Sequence, residues 1–176
     1  MRFEAPPTGA NVSKAALAKQ GVDFRPGDHV LARFKLYLEA NGSAENLFLM
    51  DFESMELSGY PGRRLALSSA QELILESKNT DGAYGSGPNF KQSNFAKVAM
   101  PKGRWVAIRV ELVLSRDSNG RAKIWQDGIL VVDQTGKTFP SEPDITHYNW
   151  VEFGITANSS PGPQTLWLDD ISLSKP

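Results

Sequence analysis

The chain has no cysteine and only two histidines among its 176 residues. Because no thiol is available, a disulfide framework, a thiolate zinc site and a cysteine nucleophile are all excluded. Long apolar runs are also missing, since no window approaches the roughly 18 apolar residues that a membrane-spanning helix needs. We therefore expect a protein that has no membrane partner.

A strong charge of either sign is absent as well. The 19 Lys and Arg residues nearly balance the 20 Asp and Glu residues, which leaves a net charge of -1. No cluster of basic residues is interleaved with aromatic ones, so the sequence does not indicate a nucleic-acid partner. The chain also lacks internal repeats and low-complexity linkers, and its length suits one domain over residues 1–176.

The beginning of the sequence lacks the basic and then apolar segments of a signal peptide. Met1 is followed at once by Arg2–Ala5, which alternate as a strand would. We expect an excised domain or a processed start. We further expect an extracellular or periplasmic protein, with its signal peptide outside this sequence.

What the sequence does contain is a run of strands joined by tight turns. A long alternating strand is predicted over Trp105–Leu114, and Asn119–Gly120 is predicted to close the turn after it. Arg121–Trp125 follow as a second strand, Asp127–Gly128 as a second turn and Ile129–Gln134 as a third strand. Asn-Gly and Asp-Gly are strong hairpin signals because these residues tolerate the positive φ of type I′ turns.

Period-two segments separated by turn residues extend over most of the chain, which is typical of a sandwich or barrel. Residues 13–19 are rich in alanine and fit either a strand or a short helix. Residues 81–94, with Tyr84 and Phe90, are predicted to form a surface loop, with ligand contact as the alternative. The predicted strands are 2–5, 29–38, 46–53, 64–67, 72–77, 95–100, 105–114, 121–126, 129–134, 150–157 and 165–173.

These segments resemble the concanavalin A-like lectin and glucanase superfamily, in particular laminin G-like and heparin-lyase-like domains of bacteria. The resemblance covers nearly the whole chain. It is carried by Arg2–Glu4, Phe24–Asp28, Arg104–Trp105, Trp125–Gly128, Gly154–Asn158 and Leu168–Ile171. It implies an all-β, two-sheet antiparallel β-sandwich, a jelly roll of about eleven strands. It also implies a polysaccharide or oligosaccharide ligand, bound on the concave face of one sheet.

Alternation sorts polar side chains onto the face opposite the core. An indole can stack on the apolar face of a sugar, while charged groups hydrogen-bond to hydroxyls or uronate carboxylates. We expect such a site to centre on Trp125, Arg109, Lys35 and Arg33. The alternative is an ordinary solvated face with paired charges. The predicted carbohydrate-binding residues are Arg33, Lys35, Tyr37, Asp51, Glu53, Arg109, Glu111, Lys123 and Trp125.

The glucanases of this superfamily have a strand motif that resembles Glu-x-Asp-x-Glu, whose first Glu is the nucleophile and whose last is the acid/base. Here Asp51 and Glu53 match that motif, but Leu49 stands at the nucleophile position. A retaining mechanism needs two carboxylates about 5 Å apart, so the sequence argues against glucanase activity. Alternation in this strand places Phe48, Met50 and Phe52 on one face and Leu47, Leu49, Asp51 and Glu53 on the other.

Alginate-lyase-like members have motifs that resemble Arg-Thr-Glu-Leu and Gln-x-His, with a catalytic Tyr near the hairpin. At these places the chain has Lys14–Leu17, Leu49-x-Asp51 and Trp125. An elimination needs a base for the C5 proton and a group that neutralises the uronate carboxylate. Arg33, Lys35 or Arg109 could neutralise it, but the expected base is missing. His29 and His147 are predicted to be surface residues.

Many members of the superfamily hold a structural calcium with an acidic residue of the last strand. Asp169 and Asp170 are the candidates here, and alternation predicts them on opposite faces. Calcium takes six to eight oxygen ligands, so two adjacent carboxylates are only part of a site. The alternative is one aspartate that caps a loop and one that faces water.

These observations favour a non-catalytic carbohydrate-binding domain that requires no cofactor. The runner-up is a polysaccharide lyase or glycoside hydrolase, with Asp51 and Glu53 as acid/base candidates on a glycan that could be acidic. A third possibility is an adhesion or structural domain without a glycan ligand. The sequence names neither the sugar nor the linkage.

Overall fold

The computed structural model describes residues 1–9, 12–42, 44, 47–57, 60–78, 89–92, 97–158 and 160–176. Across these ranges the secondary structure consists of strands, and no helix there could cross a membrane. The strands are β1 (Arg2–Ala5), β2 (Ser13–Phe24), β3 (His29–Leu38), β4 (Leu47–Glu53), β5 (Gly62–Leu67), β6 (Leu73–Lys78), β7 (Trp105–Val113), β8 (Arg121–Gln126), β9 (Ile129–Thr135), β10 (Tyr148–Asn158) and β11 (Gln164–Ser174).

The strands form two antiparallel sheets. A six-stranded sheet has the order β1-β11-β3-β7-β8-β9, and a five-stranded sheet has the order β2-β10-β4-β5-β6. The prediction of an all-β, two-sheet jelly roll is therefore confirmed. Its strand list is not entirely right. Residues 13–24 form a full edge strand against β10, whereas Ala99 makes only an isolated bridge to Glu72 and residues 95–96 lie outside the described ranges.

The core lies between the two sheets and consists of the alternate side chains of each. In β7 these are Val106, Ile108, Val110 and Leu112, each at most 2% exposed. Phe34 of β3 meets Phe153 of β10 edge to face, with 5.7 Å between the ring centroids. This contact joins an interior strand of one sheet to an interior strand of the other.

The two predicted hairpin turns differ in their physical basis. Asp127 and Gly128 have φ of 49° and 81°, as expected for a type I′ turn. Neither Asn119 nor Gly120 has a positive φ, so the type I′ prediction is wrong there. Gly120 is needed for a different reason, because a Cβ at this position would lie 2.5 Å from the carbonyl oxygen of Gly136.

A β-bulge in β4 changes which side chains of that strand face outward. Phe48 pairs with Ala66 and Met50 with Leu65, so Leu49 is the extra residue. As a result Leu47 and Leu49 both point into the core, at 1% and 0% exposure. The prediction that Leu47 and Leu49 share the outward face of Asp51 and Glu53 is therefore wrong.

Candidate functional site

The nine predicted carbohydrate-binding residues do not share one face. Seven of them lie on β3, β7 and β8 of the six-stranded sheet, whereas Asp51 and Glu53 lie on β4 of the other sheet. The outer faces of a sandwich point in opposite directions, so the core separates the two groups. The physical reason is strand pairing, since β4 pairs with β5 and β10 and not with β3.

On the six-stranded sheet, Arg33, Arg109 and Trp125 form one row across three strands. Arg33 pairs in register with Arg109, and Arg109 pairs with Trp125. The Arg109 guanidinium lies 4.6 Å from the centroid of the Trp125 indole and is ion-paired with Glu111. We call these three residues the arginine–tryptophan row.

The Arg33 side chain is exposed and has neither a hydrogen bond nor an ion pair with any described residue. It stands directly opposite Arg109, and like charges at such positions destabilise a sheet. A bound anion would remove this repulsion. The row therefore combines a surplus positive charge with an aromatic ring, the two features that a uronate sugar can use.

The charges around the row are mostly compensated. Lys35 is 2.6 Å from Asp170, and the hydrogen bond from this lysine to Asp170 raises its pKa. Arg121 is 2.7 Å from Asp133, and its hydrogen bond lowers the pKa of Asp133. Lys123 lies 6.0 Å from the Trp125 ring centroid. Among the predicted cations, Arg33 and Lys123 thus have no ion-pair partner within the described residues, and Lys123 differs from Arg33 in lying near the Trp125 ring.

Next to the row lies a shallow depression between β3, β7 and β8. Its walls include Arg33, Lys35, Arg109 and Trp125, and the exposed Ala107 forms its floor. The small side chain of Ala107 leaves room above the sheet. Four of the predicted residues thus line one accessible depression. A fifth, Lys123, lies near Trp125.

Tyr37 lies in a different row of the same face. It pairs in register with Trp105 and with Trp167, and its ring centroid is 5.7 Å and 5.3 Å from theirs. Trp167 was not among the predicted site residues, although its alternation with Leu166 and Leu168 in β11 places it outward. We call Tyr37, Trp105 and Trp167 the aromatic row.

On the five-stranded sheet, Asp51 and Glu53 meet a third carboxylate that the sequence prediction missed. Oxygens of Asp51, Glu53 and Glu152 all lie within 4.8 Å of one another. Glu152 pairs in register with Asp51 across β10 and β4. The outward alternation of β10 was the available signal, but it does not reveal which strand lies beside it. We call these three residues the carboxylate cluster.

A buried lysine compensates part of the cluster's charge. Lys78 forms an ion pair with Glu53, and its Nζ is 3.6 Å from Asp51 Oδ2. It reaches Glu53 across Gly62, which pairs with both residues. A Cβ at Gly62 would lie 1.7 Å from the Phe52 carbonyl oxygen, so glycine is required at this crossing.

Burial dominates the electrostatics of the cluster. The side chains of Asp51 and Glu53 are 1% and 4% exposed. Desolvation raises the pKa of Glu53, although the hydrogen bond from Lys78 opposes the shift. Thr156 Oγ1 donates a hydrogen bond of 2.8 Å to Asp51 Oδ1. In this arrangement the acid/base candidates Asp51 and Glu53 are held in a sealed ion-pair network, whereas retaining glycosidases need two accessible carboxylates.

Of the other residues considered for catalysis, Lys14 contacts the carboxylate cluster, whereas Leu49 and the two histidines do not take part in it. Leu49 points into the core, so the glucanase nucleophile position does not face the cluster. Lys14 of β2 pairs with Glu152 at 3.2 Å. His147 Nδ1 is 3.2 Å from Glu56, and His29 is exposed at the start of β3.

Glu56 anchors the turn after β4. Burial works against its ionisation, but hydrogen bonds from Thr146, His147 and Ser54 outweigh this and lower the pKa of Glu56 to about 2. Oε2 of Glu56 accepts the Thr146 amide at 2.6 Å and Oε1 accepts the Thr146 hydroxyl at 2.7 Å. The contact between His147 and Glu56 thus helps to stabilise the turn after β4.

Asp169 and Asp170 do not fit a calcium site. A register shift between Asp169 and Ser172 interrupts the alternation, so both aspartates are exposed and the prediction of opposite faces is wrong. The Asp170 carboxylate is engaged by Lys35, and Asp169 Oδ1 accepts the Asp170 amide at 2.9 Å. These two carboxylates fall short of the ligand number that calcium requires.

The predicted loop 81–94 lies mostly outside the described residues, and Tyr84 with it. Phe90 is described, is 1% exposed and forms a bridge with Leu75. At Phe90 the prediction of a surface loop is therefore wrong, because this aromatic side chain packs into the core.

A family model described as polysaccharide lyase matches residues 6–172. No curated protein sequence matches the chain. Among solved structures, the endo-β-1,4-glucuronan lyase of the fungus Trichoderma reesei has a TM-score of 0.75 at 15% identity, over 99% of this chain and 80% of that one. Alginate lyase Aly36B has a TM-score of 0.56 at 12% identity, over 97% and 86%.

The carbohydrate-binding module CBM66 of Bacillus subtilis is also similar, with a TM-score of 0.52 at 12% identity over 93% of this chain and 80% of that chain. At such identities these likenesses show the fold alone. Lyases and a binding module share it, so the fold does not decide between cleavage and binding.

Proposed function

The chain belongs to the polysaccharide lyase family, whose model spans residues 6–172, and we propose that it binds an acidic polysaccharide on the outer face of its six-stranded sheet. Family membership gives the chain a function connected with polysaccharides. The choice of binding, of an acidic ligand and of this face is our proposal.

The observation that carries the proposal is Arg33, whose side chain has no ion-pair partner among the described residues and stands opposite Arg109 in the row that ends at Trp125. A guanidinium binds a carboxylate through two parallel hydrogen bonds, which are stronger than those between neutral groups. An indole close by offers an apolar surface to the same sugar. A uronate, which has a carboxylate on a pyranose ring, matches both groups.

The charge of the central strands supports an anionic ligand. Strands β3, β7 and β8 present five cations and one acid, Glu111, on their outer face. Asp170 and Asp133, from the neighbouring strands, compensate Lys35 and Arg121. Arg33 and Lys123 have no acid at ion-pair distance among the described residues, so the face attracts anions. The five-stranded sheet has its carboxylates gathered instead.

Binding is preferred to cleavage because the depression beside the arginine–tryptophan row lacks a histidine or tyrosine base among its described lining residues. An elimination needs a group that removes the proton next to the uronate carboxylate. The residues that line the depression include neither histidine nor tyrosine. Its lysine, Lys35, is held protonated by Asp170, which raises its pKa. We therefore propose that the depression holds a uronate without breaking its glycosidic bond.

The test compares the mobility of the protein in native gels that contain alginate or polyglucuronate. We expect both polymers to retard the wild type, and we expect Arg33→Ala to lower the affinity about tenfold. Lys19→Ala is the matched control, because it removes the same charge from an exposed position of β2 in the other sheet. The proposal fails if no acidic polymer retards the protein, or if the two variants behave alike.

A second candidate is cleavage at the carboxylate cluster. It is favoured by the approach of three carboxylates within 4.8 Å and by the raised pKa of Glu53, which burial produces. Release of reducing ends, or of an unsaturated product that absorbs in the ultraviolet, would indicate cleavage. Loss of that release in Glu53→Gln, but not in Arg33→Ala, would place it at the cluster.

A further inference from the structure

We propose that the aromatic row is a second subsite, where Trp105 stacks on a sugar further along the acidic polysaccharide whose carboxylate contacts Arg33. This inference rests on the proposed function and adds to it a requirement for ligand length. It also gives the bound polysaccharide a direction, along the strands of the six-stranded sheet.

The first argument is the exposure of Trp105. Its ring contacts Tyr37 at 5.7 Å, yet the residue is 44% exposed. Contacts between aromatic rings contribute about 0.5–1.5 kcal/mol per pair. Such contacts explain the position of Tyr37, whose ring lies between those of Trp105 and Trp167. They leave a large part of the Trp105 surface in water. An exposed aromatic surface of this kind is typical of a binding site.

The second argument is the path between the two rows. Trp105 and Arg109 lie on the same face of β7, four residues apart, which is about 13 Å along a strand. Ala107 stands between them and is exposed. Beside it, Lys35 is drawn toward Asp170 on β11. A chain of sugars can therefore pass over Ala107 without meeting a bulky side chain.

The third argument is that the two rows recognise different parts of one polymer. A uronate pyranose has a carboxylate and hydroxyls at its edge and C–H groups on its faces. The arginine–tryptophan row suits the edge, and the aromatic row suits a face. A single pyranose is too small to contact both rows. Occupation of both thus requires an oligosaccharide.

The test is the dependence of affinity on ligand length, measured by tryptophan fluorescence with alginate and polyglucuronate oligosaccharides. We expect Trp105→Ala to weaken binding of a hexasaccharide about tenfold and to leave binding of a disaccharide unchanged. Arg33→Ala is expected to weaken both. Trp105→Phe retains a ring and is expected to recover most of the hexasaccharide affinity.

Ile129→Ala is the control, since Ile129 is 54% exposed on β9 of the same sheet and lies outside both rows. Salt gives a second readout because screening weakens exposed charge contacts. Added salt should weaken the remaining binding of Trp105→Ala as steeply as that of the wild type, and that of Arg33→Ala less steeply.

The inference is overturned if Trp105→Ala leaves hexasaccharide binding unchanged, or weakens the disaccharide equally, while Arg33→Ala still acts. In either case the proposed function stands. If the wild type binds neither oligosaccharide, the proposed function fails and the second subsite with it. Thermal unfolding of each variant checks that Trp105→Ala remains folded.

Discussion

The two outer faces of this sandwich use the same kinds of charged side chain in opposite ways. On the five-stranded sheet, Asp51, Glu53 and Lys78 are buried and compensate one another. On the six-stranded sheet, Arg33 and Arg109 are exposed and repel each other. A buried charge is tolerated only with a partner, whereas an exposed surplus persists because water solvates it. The exposed positive charge of the six-stranded sheet is therefore available to bind an anionic ligand.

The sharpest way to test this difference is to remove the lysine of the buried network. Lys78→Met leaves Glu53 and Asp51 without their nearest cation, which is expected to cost about 3–5 kcal/mol of unfolding free energy. Chemical denaturation measures the change. On the other face, Lys35→Met removes an exposed ion pair and should have no measurable effect. Equal losses in the two variants would mean that the faces do not differ in this way.

A control for Lys78→Met comes from removing both partners. The double variant Glu53→Gln, Lys78→Met leaves no buried ionised glutamate at this position, so it is expected to be more stable than Lys78→Met alone. A double variant no more stable than the single one would show that Lys78 acts through packing rather than through charge.

The faces should also respond to pH with opposite signs. Burial raises the pKa of Glu76 on the five-stranded sheet, so its folded form binds a proton more tightly than its unfolded form. Its contribution to stability therefore increases as pH falls from neutral toward 4.5, the ordinary pKa of a glutamate. The effect is about 1.4 kcal/mol for each unit of pKa shift. Glu76→Gln is expected to abolish this gain in denaturation curves measured between pH 7 and pH 4.

Asp133 on the six-stranded sheet is the matched case. Its hydrogen bond from Arg121 lowers its pKa below 3.8, so its contribution to stability is present above that value and is lost as pH falls through the lowered pKa. Asp133→Asn is expected to lower stability slightly at neutral pH and to have no effect in strong acid. The same pH dependence for both variants would remove this distinction between the faces.

The smallest expected effect concerns stability at Arg33. Arg33→Thr removes the repulsion with Arg109, so the unfolding free energy is expected to rise by about 0.2–1 kcal/mol. The same substitution should weaken binding of acidic oligosaccharides. A gain in stability together with a loss of affinity distinguishes a binding residue from a structural one. A loss of stability would show that Arg33 supports the sheet through its alkyl chain.

Local sequence signals predicted much of the fold because they depend on residues close together in the chain. The period-two pattern located β3, β7 and β8, and Asp127–Gly128 located a turn with positive φ. The extra residue at Leu49 was not visible, because it is set by how β4 pairs with β5. The helix-forming propensity of residues 13–19 was overridden by pairing with β10.

The site was harder to predict than the fold, because it depends on which strands become neighbours. Lys78 and Glu152 join Asp51 only through the strand order β10-β4-β5-β6, and nothing local to these residues specifies that order. The pairing of Arg109 with Trp125 was predictable because β7 and β8 are consecutive strands joined in sequence. The distant pairing of β11 with β3 was not, so Trp167 beside Tyr37 was missed.

The bulge in β4 also limits how an engineer could give this protein a new activity. The missing nucleophile of the glucanase motif suggests the exchange Leu49→Glu, but that side chain would enter the core. In this part of the strand Phe48 is the residue that points outward. Its ring centroid lies 4.5 Å from the guanidinium carbon of Arg64. A carboxylate added beside Asp51 would have to replace Phe48. One extra residue in the strand therefore makes the familiar motif spacing a misleading guide for redesign.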